Sequence, residues 1–204
     1  MSNINPELQA YIEAEILPRY DAFDKAHQQG HVQMVIRQSL ELAERLEADE
    51  NMAYTIAAYH DTGLSEGREL HHKVSARIIR NDKCLRRWFT EDQIEVMADA
   101  AEDHRASNEK PPRTIYGRIV AEADRFIDPE DIIRRTIQFG RDHYPTLSRE
   151  EHYNRMVQHL HEKYGRNGYL RLWFPNSPNT QRLEQLRCII DEESQLRKWF
   201  DICF

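Results

Sequence analysis

The sequence predicts an all-α fold, and three observations carry that reading. Only seven glycines occur in 204 residues. No segment alternates apolar and polar residues with period two, whereas apolar residues recur at helical spacing almost throughout. Helix-start signals, with a cap residue followed by glutamine, glutamate or proline, recur along the chain.

Taken in order, about residues 7–17 form a short amphipathic helix that Pro18 closes or kinks. After a polar turn from Asp24 to Gly30, Val32, Val35, Ile36, Leu40, Ala43 and Leu46 make one stripe, with His31 in the first turn. Residues 51–60 (NMAYTIAAYH) are apolar on most sides, so this helix is expected to be central and covered. It runs into Asp61, and Gly63 supplies a helix stop. A polar loop leads to a helix from about His71 to Arg80. Thr90-x-x-Gln93 is a capping box, and Ile94, Met97, Ala101 and His104 follow on one face. Lys110-Pro-Pro-Arg113 breaks the chain before a helix over about 114–127, in which Val120, Ala123, Asp124 and Ile127 share a face. Asp128-Pro129 opens the next helix, and Ser148-x-x-Glu151 caps a polar one that Gly165 ends. A final amphipathic helix carries Leu183, Leu186, Ile190 and Leu196. The expected organisation is one domain: a core over about 20–130, and a helical extension over 131–204 packed on it.

Composition narrows the function classes. The chain is 40% hydrophobic and 31% charged, with a mean hydropathy of −0.80. No apolar run approaches the ~18 residues of a membrane span, and the first residues lack the basic and apolar regions of a signal peptide. Three widely spaced cysteines without a CxxC pair suit a reducing cytoplasm. A net charge of −7 argues against a nucleic-acid polymer or a membrane surface as partner.

The chemistry is concentrated in four residues. His31, the pair His60-Asp61, and Asp124 lie on three apolar helices, where an unpaired ionisable side chain costs several kcal/mol by order of magnitude. Two imidazoles and two carboxylates in one core most economically share a divalent cation. Nitrogen and oxygen donors together suit Mn, Fe, Co, Ni, Mg or Zn, with Mn or Fe favoured over a thiolate-type zinc. Arg118 or Arg125 could instead pair with Asp124 without any metal.

These residues, with DKAHQQGHVQMV around the first histidine, AAYHDTG around the pair, then HHKVSA, DHRAS and RIVAEADRFID, resemble the HD superfamily of metal-dependent phosphohydrolases. The resemblance is to its small stand-alone bacterial members. It implies an all-α helical bundle in which His31, His60, Asp61 and Asp124 bind one divalent ion, with Asp61 placed to bridge to a second. In some relatives, histidines placed like His72 and His104 bind that second ion; in others they touch substrate phosphate. Leu64 stands where some subfamilies have lysine, and the Gly-Tyr-Pro signature of cyclic-dinucleotide phosphodiesterases is absent. These departures argue against cyclic-dinucleotide and (p)ppGpp substrates.

The expected function is hydrolysis of a phosphoester in a small phosphorylated metabolite, with a nucleotide favoured, by metal-activated water. His31, His60, Asp61 and Asp124 act through one or two ions. His104 joins them, and Arg105, His72, His27, Arg68 and Lys110 meet the substrate, with Arg105 best suited to bidentate phosphate binding. The alternatives are a diiron oxygenase, which needs His72 and His104 as further ligands, and a non-catalytic metal- or ligand-binding module. The last helix suits a homodimer contact as well as closure of the core.

Overall fold

A computed structural model describes residues 3–23, 29–108 and 110–204. Among the described residues are ten α-helices, short 3-10 turns and no strand, as the periodicity predicts. The chain divides into one compact unit ending at Arg125 and another running from Phe126 to Phe204. The sequence reading puts this division near 130. Phe126 and Ile127 instead belong with the later unit: the Ile127 N–H donates to Asn179 Oδ1, and Arg182 lies over the Phe126 ring.

The first unit comprises α1 (Pro6–Glu15), a 3-10 turn (Leu17–Ala22), α2 (Gln29–Arg45), α3 (Glu50–Tyr59), a second turn (Thr62–Glu66), α4 (His71–Asn81), a third turn (Lys83–Arg87), α5 (Glu91–Asp103) and α6 (Ile115–Asp124). Helix α3 packs against α2, α5 and α6, and every residue from Met52 to Tyr59 is buried. Ten residues make too short a helix to stand alone in water. Its stability comes from this burial, about 1.5–3 kcal/mol for a fully covered aliphatic side chain such as Ile56.

Asp49 caps the start of α3 by accepting from the Asn51 and Met52 N–H groups. At the buried far end, side chains satisfy the last carbonyls. His60 Nδ1 pairs with Ala57 O at 2.7 Å, the Tyr20 hydroxyl donates to Ala58 O at 3.0 Å, and the Thr62 hydroxyl donates to Tyr59 O at 2.7 Å. Helix α1 is tied in nearby, because the Tyr11 and Tyr59 hydroxyls both donate to Asp82 Oδ2, at 2.6 and 2.5 Å.

Gly63 does not end a helix in the left-handed conformation; among the described glycines a positive φ occurs at Gly67, at 105°. Glycine is needed at 63 because the turn runs against the start of α4. A Cβ there would lie 2.0 Å from the His71 carbonyl oxygen and 2.6 Å from the Ser75 nitrogen. The Gly63 N–H donates to Ser75 Oγ at 2.9 Å, which fixes the approach.

The second unit contains α7 (Pro129–His143), α8 (Arg149–Tyr164), α9 (Pro178–Asp191) and α10 (Glu193–Cys203). Ser148 and Glu151 make the capping box that the sequence predicts. The expected single last helix is two helices, broken at Glu192, whose backbone is extended. The apolar stripe explains the break: Leu183, Leu186 and Ile190 share one register, whereas Leu196 and Phe200 are buried in another. His152 of this unit is buried, its ring 5.7 Å from that of Phe204. Among the described residues no helix is long and apolar enough to cross a membrane.

Candidate metal centre

Four elements of the first unit deliver donor atoms to one place. His31 comes from the first turn of α2, His60 caps the end of α3, Asp61 follows it, and Asp124 is the last residue of α6. His31 Nε2 lies 3.1 Å from Asp124 Oδ1 and 3.8 Å from Asp61 Oδ2. His60 Nε2 lies 3.3 Å from Asp61 Oδ2 and 3.7 Å from Asp124 Oδ1. The four residues singled out in the sequence therefore meet around a common point. His31, His60 and Asp124 form one set whose ligand atoms all lie within 4.8 Å of each other.

A second set adjoins the first. Asp61, His71 and His104 offer ligand atoms within the same limit. The other oxygen of Asp61, Oδ1, lies 3.5 Å from His71 Nε2 and 3.4 Å from His104 Nε2, and those two nitrogens are 3.2 Å apart. The second histidine of this set is His71, which the sequence reading did not single out; its neighbour His72 was expected to meet the substrate or, as in some relatives, a second ion. His71 is the first residue of α4, while His72 lies buried on the face of Ala76 and Ile79. Its ring centroid is 5.5 Å from that of His71, and it joins neither set. The sequence already held the signal: His72, Ala76 and Ile79 fall at i, i+4 and i+7, the spacing of a core stripe.

Three of the histidines are held in the same way. His60, His71 and His104 each place Nδ1 against the carbonyl three residues back, of Ala57 at 2.7 Å, Arg68 at 2.7 Å and Ala101 at 2.6 Å. A carbonyl only accepts, so Nδ1 carries the proton and, in the neutral ring, Nε2 keeps its lone pair. Such a backbone bond is the usual means of orienting a metal-binding imidazole. With the three rings neutral, three lone pairs face each other and the two carboxylates in a mostly dry pocket; without a cation, a proton on His60 is the alternative. A cation between them resolves that repulsion, and the donors, neutral nitrogen with carboxylate oxygen, fit a divalent first-row metal.

The electrostatics agree. Burial works against charge on His60, but Asp61 and Asp124 outweigh it and hold its imidazolium well above the usual 6.5. Burial likewise works against the carboxylates, yet His60 and His104 bring Asp61, and the His31 and His60 rings bring Asp124, well below 3.8. His71 is pushed down, by burial first and then by His104, which favours its neutral, ligating form. His72 is pushed down to about 4, chiefly by burial.

The remaining residues singled out as substrate contacts are placed as follows. Arg105, next to His104, is half-buried and donates from Nη1 to the Glu69 carbonyl at 2.8 Å, holding the loop before α4. Arg68 supplies its carbonyl to His71, and Lys110 is exposed. His27 lies outside the described residues. Arg113, a further basic residue near the site in sequence, is occupied by acids: Asp103, Glu102 and Asp99 all lie within 3.0 Å of it.

Comparison with known proteins bears on the same segment. Residues 29–127 match the family model of the HD domain. The chain also resembles the crystal structure of a predicted HD superfamily hydrolase from an uncultured Thermotogales bacterium. The TM-score is 0.52 and the identity 21%, over 78% of this chain and 87% of that one, a likeness of fold. No match was found among curated proteins. The matched segment, just under half of the chain, holds all six donors, so the part of the chain that carries the candidate metal centre is the part similar to the HD domain.

Proposed function

We propose that this protein is a phosphohydrolase that acts on a small phosphorylated metabolite, with a nucleotide favoured, through two divalent ions sharing Asp61. The observation that carries this reading is the arrangement of six donors in two adjoining sets, with opposite oxygens of Asp61 turned to each. Divalent ions bound there would lower the pKa of water and offset charge on a phosphoryl group.

The chain's own residues do the rest. The carbonyls of Ala57, Arg68 and Ala101 hold the Nδ1 protons and keep three Nε2 atoms aimed inward. His104 sits in the second donor set, so it serves as a ligand here rather than as a phosphate contact. Arg105 takes the phosphate role. Its guanidinium has five donors, and the single bond to Glu69 O fixes its position beside His104 without exhausting them. The test is phosphate release from a panel of nucleoside and sugar phosphates by metal-loaded protein. Turnover that disappears in His60→Ala and Asp61→Ala supports the reading, and full activity in either variant sinks it.

A second reading is a diiron oxygenase. The six-donor set favours it, because the nine residues between Asp61 and His71 suffice to bring a further histidine to a second site. Oxygen uptake by iron-loaded protein without phosphatase activity would establish that reading in place of the first.

A further inference from the structure

The matched segment begins at residue 29, yet one side chain from before it reaches the metal centre. Tyr20, in the 3-10 turn Leu17–Ala22, is fully buried. Its hydroxyl donates to the Ala58 carbonyl at 3.0 Å and accepts from the Asp61 N–H at 3.3 Å. Those partners lie on either side of His60, so one phenol oxygen spans the turn that presents both His60 and Asp61. Its ring is 6.4 Å from the His60 ring. The segment bearing it is anchored independently, because Leu8, Ile12, Ile16 and Leu17 are buried in the same core as α3.

We infer that Tyr20 is a positioning residue of the metal centre, holding the end of α3 so that His60 Nε2 and Asp61 Oδ2 face one ion. The physical reason is the geometry of the chain there. Asp61 lies past the last turn of α3, at φ −109° and ψ 4°, and its N–H is held by the Tyr20 phenol. Without the phenol, the Asp61 N–H and the Ala58 carbonyl lose a buried partner, and the turn can rotate to find others. A bridging carboxylate must aim both oxygens at once, so rotation at Asp61 disturbs both donor sets. The N-terminal helical segment, outside the family match, is thereby part of the working site.

This inference rests on the metal-centre reading, and cobalt(II) separates the two. Wild type, Tyr20→Phe and Tyr11→Phe are loaded with cobalt(II). Affinity is measured by chelator competition, the ligand field by visible absorption, and stability by thermal melting. Tyr11→Phe removes a comparable phenol bond, to Asp82, away from the donor atoms. The expected result for Tyr20→Phe is an affinity weakened about tenfold or more and a shifted cobalt band. Tyr11→Phe should melt lower but keep the wild-type affinity and band. Wild-type affinity and band in Tyr20→Phe would overturn the inference and leave the metal centre standing. Wild type that takes up no cobalt would overturn both. Should Tyr20→Phe fail to fold, amide exchange in wild type decides: protection at Asp61 is expected, and exchange at an exposed-amide rate would show that the bond is not made.

Discussion

His71 Nε2 and His104 Nε2 stand 3.2 Å apart, each ring holding its Nδ1 against a backbone carbonyl. Two neutral imidazoles so oriented present lone pairs to each other and cannot hydrogen-bond. They require a shared proton or a shared cation. Asp61 Oδ1 within 3.5 Å of both makes a divalent ion the fitting occupant. His71→Ala and His104→Ala should therefore lower metal content from about two ions per chain to about one. His72→Ala should leave about two ions and lower stability by roughly 1–3 kcal/mol through lost packing. Metal analysis of the three variants checks this, and loss of an ion in His72→Ala alone would reverse the assignment.

Proton linkage gives a second expectation. In the metal-free protein His60 titrates above its unfolded value of 6.5. Its contribution to stability is thus full below 6.5 and disappears as pH rises through the raised folded value. Asp61 and Asp124 titrate below 3.8, so their contribution is present above 3.8 and disappears as pH falls through their depressed values. Metal-free protein should be most stable between these limits and weaken on the alkaline side. A bound cation replaces the His60 proton, so loaded protein should lack the alkaline decline, and loading near neutral pH should release about one proton from His60. Melting curves against pH with and without metal test this; identical alkaline slopes would contradict it.

Gly63→Ala should act on the second donor set. The new methyl would meet the His71 carbonyl at 2.0 Å, and that backbone carries a ligand. The turn or the start of α4 must shift, at a cost of roughly 2–4 kcal/mol. Thermal melting and metal titration together should show lower stability and a weakened second ion, with the first retained. Unchanged binding of both ions would argue that His71 is not held from Gly63.

The two arginines near His104 should separate cleanly. Arg105→Ala should raise KM for a phosphorylated substrate, because Arg105 follows the donor His104 in sequence and its charge acts on the donor His71. Arg113→Ala should leave KM unchanged. Its ring of acids is 46% exposed on the arginine side, so solvent screening limits the stability loss to about 1 kcal/mol. Steady-state kinetics and melting of both variants check the pair.

The helices and the first donor set were legible because their signals are local. Capping boxes at Thr90 and Ser148 and the apolar run of α3 involve neighbours in sequence, and each forms as expected. His31, His60, Asp61 and Asp124 stood out as ionisable groups in apolar stretches. His71 was passed over for its neighbour His72, although adjacent residues on a helix point about 100° apart. Only the core stripe through Ala76 and Ile79 tells them apart. Tyr20 was not legible at all: its partners are backbone groups 38 and 41 residues away, which leave no side-chain signature. The same holds for Gly63, read as a helix stop, whose close neighbour is a backbone oxygen of α4.

The most direct test of the two-ion centre is a titration of manganese(II) into metal-free wild-type protein, followed by electron paramagnetic resonance. Saturation near two ions per chain, with the spectrum of a magnetically coupled pair bridged by Asp61, is the expected result. Saturation at a single ion with an isolated manganese signal, or no binding at all, would contradict it.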